Sequence, residues 1–343
     1  MLFKREKIEG KTQVPVWFMR QAGRYHDHYQ NLKKENTFME LCKGPELACE
    51  VTMGPIEEFD FDAAILFSDL LFPLEYLQLG LTYAPGPKLE RHIDSVESIL
   101  SVEELPDAKT FFGFQGEACH LLRKRLPQQK NLLGFVGAPW TLFTYGVEGG
   151  HSGNLVKAKK AIYDGRWERF NEVLFEPLLT EMAVQAENGA DTVCLFDTAV
   201  GELCHVDYVE FILPRLKKIT SEFKNRYPDH KIIYYSRNTH LHYLKSIQDP
   251  NIDVLGVDWR HDLPTVFEEL SDQYMIQGNM DPAWLHLPWN QLERLLKREF
   301  LPMLERPKWC ERWIFGLGHG VLQHTPVENV KNTVKFVHDH LKY

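Results

Sequence analysis

The sequence predicts an α/β protein of the (β/α)8 TIM-barrel class, built as a single domain. Three observations predict it. Eight short apolar runs recur along the 343 residues, most of them ending in polar or catalytic-type residues, with helical signatures between them. The runs are continuous and not alternating, as strands covered on both faces require. No G-x-G-x-x-G follows the first run, which disfavours the open doubly wound sheet.

The first run, 14–18, is β-branched and aromatic and empties into Arg20-Gln21-Ala22-Gly23-Arg24. Two guanidinium groups four residues apart suit a clamp for a polyanion, although paired surface arginines would read the same way. The second run, 62–67 (DAAILF), leads to Ser68-Asp69. A long stretch at about 70–130 reads as an insert of extra helices and a hairpin-like cover, with a capping box at Ser101-Val102-Glu103-Glu104. The third run, 131–137 (NLLGFVG), is followed by Pro139-Trp140-Thr141 and Tyr145, and the fourth, 190–196 (ADTVCLF), by Asp197-Thr198. Runs at 231–235, 252–257, 273–277 and 313–317 lead in turn to Arg237, to Asp258, to Asn279 with Asp281, and to His319. Helix starts are expected at Asp207 with Glu210, at Asp281-Pro282, and at a second capping box, Thr325-Pro326-Val327-Glu328. In a barrel the chemistry belongs where the carboxyl ends of the strands open into loops, and polar groups gather there.

Bulk properties narrow the function. A net charge of −9 lacks the basic footprint of a nucleic-acid or anionic-membrane partner, so an anionic substrate needs a local cationic pocket. No run approaches the length of a membrane span. The six cysteines (Cys42, Cys49, Cys119, Cys194, Cys204, Cys310) form no C-x-x-C pair and read as reduced thiols. No apolar run follows the charges of residues 1–7 (MLFKREK), so no signal peptide is expected and the location expected is cytoplasmic.

Each candidate has a bland reading beside the functional one. Asp69, at the top of an apolar strand, suits a metal ligand, a general base or a stabiliser of a cationic intermediate; it would equally cap a helix. Function is favoured, because Ser68 can supply a cap. Metal ligands were sought among the H-x-H pairs. His26-Asp27-His28 and His338-Asp339-His340 read as solvated, and His240-Leu241-His242 lacks a cysteine or carboxylate at matching spacing. No metal is expected. Glu148-Gly149-Gly150-His151-Ser152-Gly153 lacks the lysine of a phosphate loop and reads as a tight turn. Gly318-His319-Gly320 would let the backbone approach a ligand and hold the imidazole forward. Tyr145 reads as a core aromatic or a ligand-facing phenol, and Thr198 as a helix cap or a substrate ligand.

The runs PVWFMRQAGRY (15–25), FSDLL (67–71), GFVGAPWTL (134–142), QGNMDP (277–282) and LGHG (317–320), with Tyr145 and EGG (148–150), occur in order along nearly the whole chain. In these the chain resembles the uroporphyrinogen decarboxylases of haem biosynthesis. The resemblance implies a (β/α)8 barrel, a homodimer, and loss of carbon dioxide from the four acetates of uroporphyrinogen III without metal or organic cofactor. It places the substrate-binding loop on Arg20, Gln21, Ala22, Gly23 and Arg24, and the central carboxylate on Asp69. Further substrate contacts fall on Tyr145, Thr198 and His319, and Asp69, Arg20 and Arg24 carry the catalysis. Lys33 would add positive charge at the rim. Many members have Leu-Pro-Glu where this chain has His26-Asp27-His28, and serine where Thr198 keeps the hydroxyl. Two alternatives stay open: a zinc-dependent corrinoid or thiol methyltransferase on the same scaffold, and a catalytically idle porphyrinogen-binding protein.

Overall fold

A computed structural model describes residues 7–8, 10–83, 86–150 and 153–343. Residues 1–6 of the stretch 1–7 read for a leader, and His151-Ser152 of the glycine-rich turn, lie outside the described residues. Seven strands share one sheet in which spatial order follows chain order: Ala63–Ile65, Asn131–Gly137, Thr192–Asp197, Lys231–Ser236, Val254–Gly256, Met275–Gln277 and Trp313–Ile314. The expected first strand, 14–18, makes a single bridge from Val16 to Phe315 and is bonded on both sides. Phe315 N donates to Pro15 O at 2.8 Å and Trp17 N to Phe315 O at 3.3 Å, while Asp62 N donates to Val16 O at 2.9 Å. That segment supplies the eighth member of a parallel (β/α)8 barrel.

All eight apolar runs therefore carry strand pairing, and burial explains why they were visible. Every residue of Asn131–Gly137 and of Thr192–Asp197 is buried, so neither strand has a solvent face to break the run with polar residues. Trp313–Ile314 is shorter than its run because pairing gives way to the isolated bridges Val16–Phe315 and Met280–Leu317.

By contacts the chain divides into two compact units. The first comprises Met1–Phe67, Leu121–Leu133 and Asp253–Tyr343. In it Ala63–Ile65 pairs in parallel with 131–133, Met275–Gln277 pairs with Val254–Gly256, and the helices Pro45–Phe59 and Val327–His340 pack on each other. Segment 11–14 is tied to the carboxyl-terminal residues, Thr12 and Tyr343 exchanging two backbone hydrogen bonds of 3.0 Å.

The second unit comprises Ser68–His120 and Gly134–Ile252. In it Thr192–Asp197 pairs in register with Lys231–Ser236, and the helix Arg166–Glu187 packs on Leu213–Arg226. Trp140, Phe143, Trp167 and Phe170 form a buried aromatic cluster. Within the stretch 70–130 lie the helix Phe72–Tyr76, an antiparallel hairpin (Leu81–Tyr83 with Pro87–Leu89), a 3-10 turn at Val102–Glu104 and the helices Ala108–Phe111 and Gly113–Arg125.

The capping box at Ser101 is present in full, and Asp281 caps Pro282–His286 by accepting from Ala283 N at 2.9 Å. Two helix starts differ from expectation. At the last helix Pro326 itself is the N-cap, and Thr325 instead donates its hydroxyl to Leu322 O at 2.9 Å. Asp207 ends a short helix begun at His205 and stands at the N-cap position of the π-helical turn Tyr208–Ile212 that continues it, but its side chain caps nothing there and instead accepts from the Tyr163 hydroxyl at 2.6 Å.

Candidate active site

In the first unit the site is built on the turn that follows strand 14–18. Gln21 organises it from inside. Its Oε1 accepts from Phe18 N at 3.3 Å, its Nε2 donates to Ala63 O at 3.0 Å, and its carbonyl accepts from the Tyr25 hydroxyl at 2.7 Å. Gln21 is buried, and its amide bonds the Phe18 and Ala63 backbone, so it pins the turn from inside. Ala22 and Gly23 are half-buried, while Arg20 and Arg24 are exposed. Arg20 adopts a left-handed backbone, φ 58°, which turns the chain sharply out of the strand.

The second arginine-side feature is the last strand end. Val321 N donates to Met19 O at 2.9 Å, so the 318–321 turn lies against the arginine turn. A methyl group on Gly320 would stand 2.5 Å from Arg20 Cδ and 2.7 Å from Cγ. One on Gly318 would meet Trp259 N at 2.4 Å. These glycines thus admit neighbouring parts of the protein, one of them the stem of Arg20. Gly320 N donates to His319 Nδ1 at 2.6 Å, which makes Nδ1 the acceptor and leaves the proton of the neutral ring on Nε2. Asp258, fully buried, accepts from Arg260 N at 2.9 Å and from its guanidinium at 3.0 Å, while Asn279 Nδ2 donates to Asp258 O and His261 O.

His26 departs from expectation. It is buried, not solvated, with Nε2 2.7 Å from Glu58 Oε2 and its ring packed near Tyr25 and Phe59. His28 lies against Gly54 and reaches the Glu50 carbonyl at 3.0 Å. His338, also read as solvated, is half-buried and reaches Asp62 Oδ2 at 3.3 Å.

In the second unit Asp69 is half-buried just past its strand, and its Oδ1 accepts from Leu71 N at 2.8 Å. The carboxylate therefore does close a turn, the bland role, with one oxygen. Beside it Ser68 Oγ accepts from Gln115 Nε2 at 3.3 Å. Tyr145 is half-buried on the helix Pro139–Glu148, which ends at Gly149 in a left-handed conformation.

Thr198 sits in a clamped turn. Trp140 Nε1 donates to Ala199 O at 3.2 Å, and Ala199 N donates to Thr141 Oγ1 at 3.3 Å. Thr141 in turn donates to Asp197 Oδ1 at 2.9 Å, and the Tyr234 hydroxyl to Asp197 Oδ2 at 3.0 Å. Burial pushes the Asp197 carboxyl up to about 7, with the two hydroxyls pulling the other way. Thr141→Val keeps the shape and removes the hydroxyl, so a buried amide and a carboxylate oxygen lose their partner. The expected cost is about 2–3 kcal/mol of stability in urea unfolding. An unchanged midpoint would show that the clamp is not needed.

Among the described residues no group of three or more His, Cys, Asp and Glu side chains converges as metal ligands would. His240 and His242 stack at 5.8 Å, with His205 4.6 Å from His242. The two neighbouring imidazoles, after partial burial, hold His242 below the usual imidazole range.

The family model described as uroporphyrinogen decarboxylase (URO-D) matches residues 2–340. The chain belongs to the uroporphyrinogen decarboxylase family. The family is one of carboxy-lyases. Among its relatives, the uroporphyrinogen decarboxylase of Koribacter versatilis is 36% identical over 343 residues, covering 98% of this chain and 94% of the relative. That of Chlorobaculum parvum is 35% identical over 337 residues, 96% of this chain and 95% of the relative. A solved methyltransferase from Methanosarcina mazei superposes with a TM-score of 0.76 at 17% identity, over 97% of this chain and 95% of that one. At that identity the likeness establishes the barrel fold alone.

Two residues of this uroporphyrinogen decarboxylase family member escaped sequence reading: Gln115 and Glu181, both buried, joined at 2.8 Å. A signal did exist. Glu181 has Pro177, Leu178 and Val184 four and three residues before it and three after, which puts it on the apolar stripe of its helix.

No helix among the described residues is long and apolar enough to cross a membrane.

Proposed function

We propose that this chain removes carbon dioxide from the four acetate side chains of uroporphyrinogen III to give coproporphyrinogen III. The observation that carries the reading is family membership over nearly the full length, supported by the runs that hold Arg20, Arg24 and Asp69 in the sequence. Arg20 and Arg24 grip the carboxylates of an eightfold acid, a task for exposed, permanently charged forks. Each decarboxylation consumes one proton. A proton adds to a ring α-carbon, the bond from the acetate methylene to its carboxylate breaks, and the electron pair passes into the cationic ring. The exocyclic methylene is then protonated to methyl, and the ring proton leaves.

Asp69 stabilises the ring cation and accepts from pyrrole N–H groups, with Oδ1 already fixed by Leu71 N. His319 offers its Nε2–H to a substrate carboxylate, and Tyr145 and Thr198 offer hydroxyls. A homodimer and a cytoplasmic location accompany this reading. The six free thiols suit a reducing compartment, and sedimentation velocity reads the dimer directly.

The test is anaerobic incubation with uroporphyrinogen III and chromatography of the oxidised products. Stepwise appearance of seven-, six-, five- and four-carboxylate porphyrins is expected. Recovery of unchanged substrate by folded protein overturns the proposal in favour of simple binding.

A further inference from the structure

The interior of the second unit holds a titratable group with no part in the scheme above. Glu181, on the helix Arg166–Glu187, is fully buried. Its Oε1 accepts from Gln115 Nε2 at 2.8 Å, and its Oε2 has no hydrogen-bond partner among the described residues. The other N–H of the same Gln115 amide reaches Ser68 Oγ at 3.3 Å. Gln115 Oε1 accepts from Gln185 Nε2 at 2.7 Å, and Gln185 also donates to Phe135 O at 3.0 Å. Both nitrogen donors and the oxygen of the Gln115 amide are thus engaged, and its direction is set from two sides. One arm of this brace ends on the residue next to Asp69.

We propose that Glu181 is a positioning residue for the decarboxylation: its carboxyl anchors the Gln115 amide that fixes Ser68 and, through it, the aim of Asp69. The inference rests on the reading of Asp69 as the stabiliser of the ring cation.

The carboxyl serves best uncharged. A dry carboxylate with one hydrogen bond, and no cation among the described residues acting on it, is costly, so the proton stays on. Burial is the main cause; the Gln115 bond opposes it, and the negative field of Asp69 adds to it, leaving the carboxyl near 8. Among the described residues Asp69 is the charged group whose field reaches Glu181; Gln115, which bonds it from another helix, carries no charge, nor does Gln185 one turn along its own helix. A neutral Glu181 holds the brace without setting a second anion behind Asp69, where it would repel an incoming polyanion. Above pH 8 that second charge appears.

Three measurements test this on the full-length chain. Glu181→Gln keeps an acceptor for Gln115 and cannot ionise, so it is expected to hold kcat within about twofold at pH 7 and to stay flat where wild-type kcat/KM falls above pH 8. Glu181→Leu removes the acceptor, and kcat is expected to drop about tenfold with KM within about twofold. Superimposable pH profiles for wild type and Glu181→Gln, or full kcat in Glu181→Leu, overturn the proposal.

The third readout does not need turnover. The Glu181 carboxyl 13C resonance, identified by its loss in Glu181→Gln, is expected to titrate near pH 8 and to move lower in Asp69→Asn. Titration in the ordinary carboxylate range, or no response to Asp69→Asn, overturns the proposal. Full activity of Asp69→Asn would instead sink the reading of Asp69, with the carboxyl titration still deciding Glu181.

Discussion

Asp69→Asn is expected to fold as the wild type and to turn over uroporphyrinogen about a hundredfold to a thousandfold more slowly. The substitution is unusually clean here. Asparagine keeps a side-chain oxygen for Leu71 N, which now holds Asp69 Oδ1 at 2.8 Å, so the turn after the strand is preserved. What disappears is the negative charge, and with it the stabilisation of a cationic ring. The loss should fall on kcat, because a neutral substrate ring gains little from the carboxylate before it is protonated. Single-turnover decarboxylation measures it. A rate within threefold of wild type would remove Asp69 from the mechanism.

Arg20→Ala is expected to lower kcat/KM about a hundredfold, mostly through KM, since a permanently charged fork for the substrate's carboxylates is lost. The structure adds a sharper version of the experiment. Gly320→Ala leaves the arginine in the chain but puts a methyl group 2.5 Å from its Cδ and 2.7 Å from its Cγ. The stem of Arg20 has to move, and most of the Arg20→Ala defect should return with the charge intact. Matched thermal unfolding curves separate this from a folding defect. Normal KM in Gly320→Ala would show that the direction of Arg20 is unimportant.

The barrel was legible because its strands are buried on both faces. Within Asn131–Gly137 the six residues after the asparagine are all apolar or glycine for that reason. The capping box at Ser101 was legible because it is local. At Thr325 the same local pattern misled: Pro326 fills the cap position, and the threonine hydroxyl finds a carbonyl three residues back. His26 was misread because its partner Glu58 lies 32 residues away. Distance in sequence also hid the Glu181 brace, whose bonds join residues 47 to 70 positions apart. Strand-end residues could be named from pattern, but what holds each of them was not in the pattern.

The stitching of residues 11–18 to the far end of the chain bears on biosynthesis. Val16 needs Phe315, Thr12 needs Tyr343, and the stem of Arg20 rests on Gly320. A nascent chain can bond the arginine turn to residues 62–63 early, but the contacts it takes from 315–321 form only once that segment has been made. The turn at 20–24 is therefore synthesised long before the glycine that its first arginine rests on.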